Sequence, residues 1–148
     1  MTRMTLVRVA EIEVVMDARR AKKVVEIRGP GDVYRVLGAR LARSDREKFM
    51  VLHLDARHNV LSVVTVSVGS LNASIVHPRE VFKAAILANA CAIVCVHNHP
   101  SGETEPSEED LSITKRLVAA GDTLGIGVMD HVIIAGKKWT SLRERGAL

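Results

Sequence analysis

Residues 92–96, Ala-Ile-Val-Cys-Val, form a short unbroken apolar run that ends abruptly in His97-Asn98-His99-Pro100. A strand apolar at both alternating parities is buried on both faces, so helices must cover the sheet on either side. That single constraint points to an α/β fold, a sheet with helices packed on it. The rest of the chain supplies the parts. Residues 47–54 (EKFMVLHL) and 60–68 read as two strands of a hairpin, joined by the turn-like Asp55-Ala56-Arg57-His58-Asn59. Leu6 to Val15 reads as another strand, and Ala18 to Lys23 as a polar connection.

Three helices fit between these strands. Pro30-Gly31-Asp32 opens the first, with Asp32 as the expected N-cap and Val33, Val36, Leu37 and Leu41 on its apolar face. Pro78 opens the second as its first residue, where a missing N–H costs nothing. That helix runs to about Asn89, with Val81, Phe82, Ala85 and Ile86 inward. Residues 69–76 are a polar connection or a short strand. The third helix spans about Ser107 to Ala120, closed by Gly121. Two last strands, near 126–135 and 138–142, flank a Gly136-Lys137 turn. The expected architecture is a mixed β-sheet flanked by helices, without repeats or low-complexity segments.

With 148 residues, the chain is long enough for one domain with its own core. Its two cysteines, Cys91 and Cys95, are too few for a disulfide scaffold and suit a reducing compartment. No apolar stretch approaches the roughly 20 residues that span a bilayer, and residues 1–15 do not resemble a secretory signal. A cytoplasmic protein is the expectation. Residues 1–46 carry eleven Lys and Arg against six Asp and Glu, whereas residues 47–148 carry ten against eleven. The basic excess, centred on Arg19, Arg20, Lys22 and Lys23, is either a solvated surface or a nucleic-acid footprint. Aromatic residues make up only 3% of the chain, which disfavours a base-stacking platform.

His97 and His99 share one face of a strand, with roughly 6–7 Å between their Cα atoms, so both rings can reach one ion. Asp110, in the first turn of the following helix, can be brought back over the strand end by the Pro- and Gly-containing loop 100–106. Two His and one Asp make a three-ligand site of the kind catalytic zinc uses. Ser107-x-x-Asp110 equally fits a helix capping box. Cys91 and Cys95 lie roughly 13 Å apart on an extended strand, too far for one zinc, and read as small core residues. His53 and His58 flank the hairpin turn and are expected to face solvent.

His97-Asn98-His99-Pro100 followed by Ser107-x-x-Asp110 resembles the JAMM signature of JAB/MPN metalloprotease domains. HNHPSG at 97–102, PSEED at 106–110, LNASIVHPREVF at 71–82 and LGIGVMDHVII at 124–134 resemble the RadC branch of that family. The likeness covers about residue 28 to the end. It implies a JAB/MPN (cytidine-deaminase-like) domain over 28–148, preceded by an extension over 1–27 holding one strand. Those first residues are too few for, and lack the Gly-rich hairpins of, the helix-hairpin-helix module common in RadC proteins, so a stand-alone domain is expected.

The resemblance further implies zinc on His97, His99 and Asp110. It implies a proton-carrying glutamate at Glu47, where Met50 replaces the glycine usual in that motif, and an oxyanion donor at Ser107. The implied activity is zinc-dependent hydrolysis of a peptide or isopeptide bond. The alternative is a non-enzymatic module that binds protein or DNA in a repair setting. Asn98 should face away from the metal by strand alternation, with little mechanistic consequence expected. VHPRE at 76–80 is expected to cap or shape a loop, and Asp130-His131 to offer a partner to a metal ligand. Substrate identity and oligomeric state are not readable from these patterns.

Overall fold

The computed structural model describes residues 24–70 and 76–148. The strand expected at Leu6–Val15 and the basic cluster Arg19, Arg20, Lys22 and Lys23 lie outside the described residues. Within them the order is α1 (Pro30–Ala42), β1 (Lys48–Leu54), β2 (Val60–Val68), α2 (Pro78–Leu87), β3 (Ala92–Asn98), α3 (Glu108–Leu124), β4 (Gly127–Ala135) and β5 (Lys138–Ser141). The strands form one sheet in the order β2-β1-β3-β4-β5. β3 and β4 run parallel, and the other neighbouring pairs are antiparallel. The parallel pair needs a crossover connection, which α3 supplies.

All seven residues of β3 are buried, because the strand is central and helices cover both of its faces. Val94 and Val96 point to one face, where Val33, Leu37 and Leu41 of α1 pack on Met50, Leu52, Val132 and Ile134. Ile93 and Cys95 point to the other, where Phe82 of α2 and Ile113 and Leu117 of α3 pack on Phe49 and Val51. Each such apolar side chain, fully buried, is worth about 1.5–3 kcal/mol, so this three-layer core anchors the strand that carries the histidines.

Several local expectations are corrected. Pro30 takes the first helical position of α1, so the N-cap is Gly29. Asp32 sits in the first turn instead, its carboxylate accepting the Arg28 backbone N–H at 2.8 Å. Ile86 is 53% exposed, since the short α2 buries only the stripe of Val81, Phe82 and Ala85. Helix α3 continues past Gly121 to Leu124 and ends at Gly125, whose φ of 72° suits the left-handed cap.

Gly121 is instead a packing position: a Cβ built there would lie 2.4 Å from the Ile126 carbonyl oxygen. Cys91 is exposed, whereas Cys95 is buried as expected, and burial pushes its thiol up to about 12. His53 is buried, not solvent-facing. It lies two residues before the turn, on the helix-covered face beside Val51, and its Nδ1 is 2.7 Å from the Ser62 hydroxyl. Burial lowers its pKa.

Candidate metal centre

The carboxyl end of β3 delivers His97 to the sheet face that α3 covers, and α3 begins close to it. His97 is fully buried, and Asp110 nearly so. Nε2 of His97 lies 2.9 Å from Nε2 of His99 and 3.2 Å from Oδ1 of Asp110. Nε2 of His99 lies 3.1 Å from Oδ2 of Asp110. Donors placed tetrahedrally about 2.0–2.1 Å from a zinc ion sit about 3.3–3.4 Å from one another. The two ring nitrogens and the carboxylate, which meets each ring with a different oxygen, therefore converge at spacings close to those on one face of such a tetrahedron. Among the described residues this is the group of His, Cys, Asp and Glu side chains able to hold a metal ion, and it has three members. No fourth His, Cys, Asp or Glu among the described residues joins the three, and their side chains are not splayed apart.

The local sequence explains the placement of Asp110. Ser107 is the N-cap of α3, and its hydroxyl accepts the Asp110 N–H at 3.0 Å. In return Oδ2 of Asp110 accepts the Ser107 N–H at 2.8 Å. The capping box and the candidate ligand are thus one structure: the box holds the carboxylate against the histidines. Burial opposes ionisation of Asp110. Hydrogen bonds from His97 and His99, made when their Nε2 atoms carry protons, outweigh it and hold the carboxyl well below its usual range; a bound ion would take the place of those protons. The bond to Asp110 raises the pKa of His99 against burial, with smaller help from the Glu103 carbonyl and the charges of Asp110 and Glu47.

Hydrogen-bond direction fixes which ring nitrogens carry protons. Nδ1 of His99 is 2.8 Å from the Glu103 carbonyl oxygen, which can only accept. Nδ1 therefore holds a hydrogen, and neutral His99 presents a lone pair at Nε2. The same reasoning runs along a longer chain to His97. The Thr114 hydroxyl donates to the Asp110 carbonyl at 2.7 Å. Having spent its hydrogen, it must accept from Nδ1 of His131, 2.5 Å away. Burial keeps His131 neutral by lowering its pKa far below the usual value. Its Nε2 is then an acceptor for Nδ1 of His97 at 2.7 Å, which leaves Nε2 of His97 with a lone pair. In the neutral rings both Nε2 atoms are then free to donate their lone pairs to an ion held with Asp110, the arrangement a divalent ion requires.

Phe49 packs beside this chain, its ring 6.1 Å from that of His97 and 5.4 Å from that of His131, and helps keep it dry. Of Asp130-His131, only the histidine reaches the cluster. Asp130 accepts from Ser141, the His131 N–H and the Arg143 N–H, and so ties β4 to β5 and the segment after it. His77 is the N-cap of α2, its Nδ1 accepting the Arg79 N–H at 3.0 Å, in line with a capping role. Glu47 stands half-buried just before β1, its carbonyl accepting the Gly69 N–H at 2.7 Å. The residue that sequence reasoning missed is Thr114. Its signal was present, since it lies one helical turn beyond Asp110 on the same face of α3.

A family model described as RadC-like JAB domain matches residues 27–147. The chain belongs to that family. RadC-family relatives include a "UPF0758 protein" of Methanosarcina acetivorans, 46% identical over 143 residues, covering 93% of this chain and 62% of the relative. A "UPF0758 protein" of Salinibacter ruber is 48% identical over 134 residues, 90% of this chain and 58% of its own length. One of Moorella thermoacetica is 51% identical over 122 residues, 82% and 53%. This RadC-like chain thus spans less than two thirds of the length of these relatives. The α/β sheet expected from the family is the one observed. No helix among the described residues is long and apolar enough to cross a membrane.

Proposed function

We propose that this RadC-like domain is a zinc-dependent hydrolase that cleaves an amide bond in a peptide or isopeptide substrate. The observation that carries the reading is the convergence of His97, His99 and Asp110, with Nδ1 of each histidine engaged on the far side so that both Nε2 atoms point into the cluster. Bound zinc would supply Lewis acidity and bring the ionisation of a water molecule towards pH 7. The residues of the chain do the remainder. His97, His99 and Asp110 hold the ion. Glu47 takes the water proton and hands it to the departing amine. Ser107 donates a hydrogen bond to the carbonyl oxygen as negative charge develops there. Its hydroxyl accepts from the Asp110 N–H, so its own hydrogen can serve that purpose while the cap is kept.

The experiment pairs metal content with turnover on a fluorogenic peptide library. Zinc-loaded protein is expected to bind one ion per chain and to hydrolyse members of the library. Glu47→Gln should keep the ion and lose about 10²–10⁴-fold in kcat. His97→Ala and Asp110→Ala should lose the ion itself. Equal turnover by wild type and Glu47→Gln would remove the proton carrier. Metal binding without any hydrolysis would favour the alternative, a module that binds protein or DNA.

A further inference from the structure

We infer that Asn98 is a positioning residue that aims Glu47 at the metal centre, an inference that rests on the proton-carrier reading of Glu47. Strand alternation turns Asn98 away from His97 and His99, as expected, yet the residue is 2% exposed and both ends of its amide are engaged. Its Oδ1 accepts the Lys48 N–H at 2.8 Å, and its Nδ2 donates to the Arg46 carbonyl at 2.9 Å. The first of these atoms belongs to the peptide that follows Glu47, and the second to the peptide that precedes it. One side chain thereby holds both peptide planes that flank Glu47. The Glu47 carbonyl, in the same plane as the Lys48 N–H, is held from another side by the Gly69 N–H at 2.7 Å. With both planes fixed, the direction of the Cα–Cβ bond is fixed, and the carboxylate retains only its side-chain torsions.

The register shows why an amide is needed here. The β1–β3 ladder ends at the pair Phe49–His97, so residues 48 and 98 lie at the open end of the two strands. The Asn98 amide, with an acceptor and a donor on one carbon, supplies the two hydrogen bonds that a further ladder step would have made. Asp offers no donor for the Arg46 carbonyl, and Ala offers neither group. Because Asn98 lies between His97 and His99, the residue that sets Glu47 shares its backbone with two of the candidate ligands. Mechanistic neutrality, expected from its outward orientation, is thus replaced by a role on the opposite side of the strand.

The test is a double-mutant cycle on protein loaded with cobalt(II), whose visible spectrum changes with the ionisation of the solvent it binds. Wild type, Glu47→Gln, Asn98→Ala and the double variant are titrated with base, and amide exchange at Lys48 is measured without metal. Asn98→Ala should move the spectral midpoint in the same direction as Glu47→Gln and cause no further movement in the Glu47→Gln background. It should speed exchange at Lys48 by about tenfold and leave the cobalt stoichiometry at one. Asn98→Asp, close in shape, loses the donor to the Arg46 carbonyl but keeps an acceptor for the Lys48 N–H; it should move the midpoint likewise without speeding exchange at Lys48, and stands in if Asn98→Ala fails to fold.

A midpoint that moves in Glu47→Gln but not in Asn98→Ala or Asn98→Asp would overturn the positioning role alone. Equal movement with and without Glu47 would also overturn it, by showing that Asn98 acts on the histidines directly. A midpoint unmoved by Glu47→Gln, or no cobalt binding by wild type, would defeat the proton-carrier reading and the inference with it.

Discussion

At the residue scale the decisive quantity is where each proton sits. Thr114 contributes no atom to the candidate metal centre, yet it determines that Nε2 of His97 bears a lone pair, because its own hydrogen is committed to the Asp110 carbonyl. Replacing it with Val removes the hydroxyl at nearly constant volume and leaves Nδ1 of His131 without its acceptor. Thr114→Val is expected to weaken zinc binding about 10–100-fold, and Thr114→Ser to restore most of it, as read by competition with a chromophoric chelator. Unchanged affinity in Thr114→Val would break the proposed order of protons. His97, His99 and Asp110 were legible in the sequence because strand alternation and a helix start are local rules. Thr114 and Asn98 were not, since their meaning depends on partners 17 and about 50 residues away.

At the scale of elements, α3 bears the heaviest constraint. Its first turn carries Asp110, its middle Thr114, and its last turns must bring the chain tightly back into β4. Gly121 permits that return, because its carbonyl accepts the Ile126 N–H at 3.0 Å while its α-carbon lies too close to Ile126 for a methyl group. Gly121→Ala would raise helix propensity by about 1 kcal/mol, but it forces a clash with backbone rather than with a flexible side chain. The net expectation is destabilisation of about 1–3 kcal/mol by urea unfolding, and a stabilised variant would show that the turn can yield. Composition suggested the opposite role, a helix-ending glycine, because Gly121 and Gly125 look alike in sequence. Only the positive φ of Gly125 separates the cap from the packing contact.

At the scale of the whole molecule, the candidate ligands come from two elements that pack on one sheet face, β3 and the start of α3. An unfolded chain does not hold them together, so an ion that binds them favours the folded state. Zinc at about 100 times its dissociation constant is expected to add about 2.7 kcal/mol to the unfolding free energy. The matching rise in Tm should vanish in Asp110→Ala and on chelation, with calorimetry as the measurement. A rise retained by Asp110→Ala would place the stabilising ion elsewhere. The α/β class, the central position of the 92–98 strand and its flanking helices followed from apolar run length and helix-start chemistry. The full sheet order did not, because beyond the local β1–β2 hairpin the pairing of β1 with β3 rests on contacts that no local pattern encodes.

The two chains that prepare the histidines end on main-chain carbonyl oxygens, those of Glu103 and Asp110. Amino-acid exchange cannot delete such an atom. The loop side chain at position 103 is therefore free to drift without changing the tautomer of His99, provided that the loop keeps its path. The electronic readiness of that ring is a property of backbone shape, and it would survive in a relative whose loop shares the conformation but none of the side chains.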